Sequence, residues 1–84
     1  MPTFLVELYV PRPGAARLSQ AARRLRVVAA ELRNEGVRVH YLRSLAVPSD
    51  ELCFHVVEGA SADAVAELSR RAALLGVRIV EAFG

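Results

Sequence analysis

Apolar and polar residues alternate from Phe4 to Val10, with Phe4, Val6, Leu8 and Val10 on one side and Leu5, Glu7 and Tyr9 on the other. A period of two predicts a strand. Pro11 and the pair Pro13-Gly14 end it, because proline cannot donate into a ladder and glycine admits turn geometry. The period then lengthens. Leu18, Ala22, Leu25, Ala29 and Leu32 recur at spacings of four and three, a helical stripe with Arg17, Arg23, Arg24 and Arg33 largely off it. Gly36, following Asn34-Glu35, can take the left-handed conformation and supplies the stop.

The second half repeats the pattern. Val37 to Val47 is β-branched and aromatic enough for a second strand, Pro48-Ser49-Asp50-Glu51 is a turn cluster, and Leu52 to Glu58 predicts a third strand that closes a hairpin. Ser61 is placed to cap a second helix, with Asp63 favourable in its first turn. Ala64, Val65, Leu68, Ala72 and Leu75 form its stripe, Gly76 ends it, and Val77 to Phe83 reads as the last strand. The order βαββαβ predicts one α+β domain over residues 1–84 with the ferredoxin-like arrangement. Right-handed crossovers put both helices on one face of a four-stranded antiparallel sheet.

Composition adds a partner. The apolar share of 54% exceeds the roughly 45–50% of an ordinary soluble chain, and a small domain with surplus apolar surface covers it by oligomerising. The open sheet face is expected to be partly apolar, carrying Leu5, Glu7 and Tyr9 from the first strand and Cys53, His55 and Val57 from the third. With a four-residue loop in the hairpin, Val47 faces Leu52, Ala46 faces Cys53, Ser44 faces His55 and Leu42 faces Val57. His40 shares the parity of Ser44, and Arg43 falls on the helix side. Such a face predicts a homodimer packed sheet to sheet, a dimeric α+β barrel.

Charge excludes more than it suggests. The net charge is +2, and all eleven basic residues are arginine, dispersed among nine acids from Arg12 to Arg78. Nucleic-acid binders gather their arginines beside stacking aromatics, so no nucleic-acid partner is expected. No apolar run approaches the ~18 residues of a membrane span, so no membrane partner is expected either. Met1-Pro2-Thr3-Phe4 lacks a basic secretory n-region, and the single Cys53 cannot form an internal disulfide; both point to the cytoplasm.

The residues able to hold a metal or move a proton are Glu7, His40, Cys53 and His55, with Glu58 and Glu81 as further carboxylates. Imidazole, thiolate and carboxylate suit nickel, zinc or copper, although the spacing is not that of a zinc ribbon or a zincin helix. Each also has a plain structural role: Cys53 as a small buried hydrophobe, His55 bonded to Ser44 across the hairpin, and Glu7 paired with Arg78. No nucleophile triad and no glycine-rich phosphate loop is present.

Several short segments carry a family resemblance: Pro2-Thr3-Phe4-Leu5-Val6-Glu7, Gly36-Val37, Leu42-Arg43-Ser44, the strand from Cys53 to Glu58, Gly59 to Val65, and Val77-Arg78-Ile79-Val80-Glu81. Together they resemble a small bacterial family of unknown function with a ferredoxin-like fold, of which a nickel-binding protein is the named representative. The likeness implies a homodimer that binds nickel through Glu7 and Cys53, with His40 and His55 as extra ligands. The family's second-helix histidine is replaced here by Ser69-Arg70-Arg71, and its Gly-Leu-Pro-like segment by Leu74-Leu75-Gly76. Two other classes compete: a non-enzymatic small-ligand or structural dimer module, and a cofactor-independent monooxygenase or cyclase using Tyr41, His40 or His55 as acid or base.

Overall fold

A computed structural model describes residues 1–11 and 14–83. Seven elements follow one another: β1 (Thr3–Tyr9), α1 (Ala15–Asn34), β2 (Val39–Val47), a 3-10 turn (Pro48–Asp50), β3 (Leu52–Gly59), α2 (Ala62–Arg71) and β4 (Arg78–Ala82). The four strands pair in the order β2-β3-β1-β4, all antiparallel. Both helices cover one face, giving the expected ferredoxin-like α+β fold.

The helix stripes explain which faces turn inward. Leu25, Val28, Ala29 and Leu32 of α1 and Val65, Leu68 and Ala72 in and after α2 meet Phe4, Val6, Val39 and Val57 of the sheet in one core. Ser61 caps α2, its Oγ accepting from the Ala64 N–H at 3.2 Å. That helix stops at Arg71, and Ala73 adopts φ 60°, so Leu75 lies beyond the stripe and is 85% exposed. Gly36 has φ +90°, the left-handed conformation expected after α1. Arg71 forks onto Glu35 at 2.6 and 2.7 Å and also bonds Glu67, tying the C-terminal ends of both helices together.

The register corrects the expected faces. Phe4, Val6 and Leu8 lie opposite Val57, His55 and Cys53, so those three β3 residues face the helices and not the open side. Leu52, Phe54, Val56 and Glu58 face outward instead. A bulge between Tyr41 and Arg43 adds one residue to β2, so that Tyr41, not Leu42, lies opposite Val57. Its consequence is a change of side within one strand: Ser44 points inward, while His40 lies on the open face opposite Glu58. Arg43, opposite Val56, is spared burial.

Candidate functional site

His55 sits at the centre of the helix-covered face and is 1% exposed. Its position on β3 forces the ring inward, where an uncompensated polar group would be costly. The β2 bulge supplies the compensation. Ser44 Oγ lies 2.5 Å from His55 Nδ1, and Tyr41 Oη lies 2.6 Å from Ser44 Oγ. A chain of three polar groups therefore crosses from the rim of the α1–β2 interface to the buried imidazole. Burial lowers the pKa of His55 below its ordinary 6.5, so the ring is neutral near pH 7.

The other ring nitrogen, Nε2, makes no hydrogen bond to a described residue, and among those residues no fully buried side-chain nitrogen or oxygen lacks a partner. The imidazole itself borders an open space. That space is a cavity of about 280 Å³ between α1 and the sheet. Leu8, Val10, Leu18, Ala21 and Leu74 give it apolar walls; Cys53 and His55 form its floor, and Arg17, Gln20 and Arg24 supply its polar lining. Arg24 is anchored, its Nη1 donating to the Ala72 carbonyl at 2.9 Å. Burial raises the pKa of the Cys53 thiol above 9.0, an effect partly opposed by the charge of Arg17. The floor is uncharged, and among the described residues Arg17 and Arg24 bring their charges from the wall formed by α1.

The metal-ligand candidates are divided by the sheet. Cys53 and His55, two residues apart on one strand, share the helix side. Glu7 and His40 are on the open side, as expected, but β3 runs between their strands and their β3 partners are Phe54 and Glu58. Glu7 has Arg78 at 3.8 Å, the pairing anticipated for it. The four residues cannot close around one ion, and among the described residues no group of three or more His, Cys, Asp or Glu side chains could hold a metal. The structural roles foreseen for Cys53 as a buried thiol and for His55 as the partner of Ser44 are both present. Sequence reasoning missed the cavity arginines, Arg17 and Arg24, because the arginines on α1 read as a solvated helix face.

No family model matches the chain, and no curated protein matches it. Among solved structures it is similar to SCO4226 from Streptomyces coelicolor A3(2), with a TM-score of 0.75 and 24% identity over 95% of this chain and 94% of that one. The likeness shows the fold. At this identity it carries no residue's role across, so the chemistry rests on the side chains described above. Among the described residues no helix is long and apolar enough to cross a membrane.

Proposed function

We propose that this chain is a homodimeric binding module whose cavity between α1 and the sheet takes a small, largely apolar molecule bearing an acidic or anionic group. The observation that carries the reading is the buried, neutral His55 on the floor of a cavity whose wall includes Arg17 and Arg24. Ligand sites combine apolar walls with a few polar groups that set orientation, and this cavity has that make-up. The dimer reading rests on the open sheet face, where Leu5, Leu45, Phe54, Val56 and Val80 make a broad apolar surface. A panel of phenols, enolisable carbonyl compounds and aromatic and aliphatic carboxylates, screened by thermal shift and NMR, tests the cavity. Binding abolished by Ala21→Phe, which fills the cavity from α1, supports the reading; no binder across the panel sinks it.

A second reading is favoured by the Cys53–His55 pair: a divalent transition metal held by Cys53 Sγ and His55 Nε2, with the remaining positions taken by exogenous ligands. Nickel is the ion that the family likeness implies. Calorimetric titration of nickel and zinc into tag-free protein, beside Cys53→Ala and His55→Ala, tests it. Stoichiometric binding lost in both variants, with proton release from the thiol, supports the metal. Binding unaffected by both variants moves any metal away from this cavity.

A further inference from the structure

The hydrogen-bonded chain behind His55 has a feature that packing alone does not require, in that its two ends open on different spaces. His55 lines the cavity, whereas Tyr41 and Ser44 line a separate depression between α1 and β2, together with Arg26 and Arg43. Leu18 borders both and stands as the wall between them. Hydroxyl groups both donate and accept, and neutral imidazole donates from one nitrogen while accepting at the other. The chain can therefore run in either sense. With Tyr41 donating to Ser44 and Ser44 donating to Nδ1, His55 offers an N–H at Nε2. With every donor reversed, Nε2 offers a lone pair.

We propose that Tyr41, Ser44 and His55 form a proton relay between the cavity and solvent on the α1–β2 side. The proposal rests on the cavity being a ligand site and names its ligand class: a weak oxygen or carbon acid, such as a phenol or an enolisable carbonyl. The ligand's proton bonds to the Nε2 lone pair, and the electron pair of the broken bond stays on the ligand. Nδ1 passes its proton to Ser44 Oγ, Ser44 passes its own to Tyr41 Oη, and Tyr41 releases one to water. The imidazole ends neutral, so no lasting charge is placed on a buried ring. The conjugate base remains in the cavity, where Arg17 and Arg24 from α1 supply positive charge to it. Among the described residues, the other titratable groups near His55 are Cys53 on its own strand and Tyr41, which reaches it through Ser44; β1 and the segment after α2 present Leu8, Val10 and Leu74 to this cavity.

The test is the exchange of the His55 ring N–H with solvent, followed by NMR in ligand-free protein carrying nitrogen-15 histidine. Tyr41→Phe keeps the ring over which Arg26 stacks at 5.2 Å and removes only the terminal hydroxyl. The expected result is ring exchange several-fold slower in Tyr41→Phe and at least as slow in Ser44→Ala, with near-normal exchange in Ser44→Thr, which retains a hydroxyl. Backbone amides of Val6 and Val57 report whether each variant keeps its fold, since destabilisation would speed exchange and not slow it. Ring exchange unchanged in Tyr41→Phe and Ser44→Ala, with those amides still protected, overturns the relay. p-Nitrophenol, coloured as its phenolate, reads the cavity separately. Failure of this probe to bind would count against the ligand site, while the exchange rates would still decide the relay.

Discussion

Ser44→Ala removes the middle of the polar chain and gives the most direct measure of what the β2 bulge achieves. Two hydrogen bonds go, at 2.5 and 2.6 Å. Their costs differ. His55 is 1% exposed, so its Nδ1 cannot turn to bulk water, and an orphaned buried polar atom costs about 1–3 kcal/mol. Tyr41 is only half-buried and its hydroxyl can recover a water, so the second loss is nearer the low end of the net ~0.5–1.5 kcal/mol of an ordinary bond. The expected sum is about 2–3 kcal/mol, which in a domain of this size lowers Tm by roughly 10–20 °C. Urea unfolding followed by circular dichroism, at matched protein concentration, measures it. His55→Leu supplies the control, because Ser44→Ala in that background no longer strands a nitrogen. A coupling of about 1 kcal/mol or more is expected from the double-mutant cycle. A loss below about 0.5 kcal/mol for Ser44→Ala alone, or additivity within about 0.5 kcal/mol, would refute the account.

Four further outcomes follow from the same structure. His55 has a folded pKa below its ordinary 6.5, so the unfolded chain binds the extra proton first and stability falls as pH drops below that value; the same melts of His55→Leu should lack this component. Cys53 has a raised pKa, so stability should also fall as pH rises past 9.0, and an unchanged alkaline limb in Cys53→Val would contradict that assignment. Gly59→Ala should cost about 1–3 kcal/mol in urea, because its Cβ would stand 2.8 Å from Cγ2 of the fully buried Val65; wild-type stability would mean that α2 gives way easily. Phe54→Lys puts a charge on the open face opposite Glu7, where a monomer can pair it but the apolar interface of the proposed dimer cannot; sedimentation should show a dimer for the wild type and a monomer for the variant, and any other result counts against a dimer through this face.

The misplaced cysteine and histidine show how far a period of two can be trusted. Alternation along Leu52–Gly59 gives two sets of residues but not which set faces the helices, and here both sides of the sheet are apolar enough to be core. Reading Cys53 and His55 outward put the polar atoms toward an expected metal. It also turned Phe54, Val56 and Glu58 inward together, and it put Arg43 on the helix side. Those two charges were the available signal for the opposite phase. The cross-hairpin pairs Ser44–His55, Ala46–Cys53 and Val47–Leu52 were nevertheless legible, because they depend only on the loop between the strands. The bulge at Tyr41 was not, since one extra residue in a β-branched and aromatic run leaves no mark in the pattern.

Local rules thus determined the elements, their order, the helix stripes, the Ser61 cap and the stop at Gly36, because each depends on neighbours within a few residues. The antiparallel sheet with both helices on one face followed from the handedness of the crossovers. Tertiary structure alone decided which face of β3 is buried, and hence that His55 and Cys53 share a floor while Glu7 and His40 look the other way. It also brought Arg17 and Arg24 from α1 to a histidine far along the chain. Those placements come from pairing between strands and packing between layers, where the free energy belongs to surfaces assembled from both halves of the chain and to no single segment.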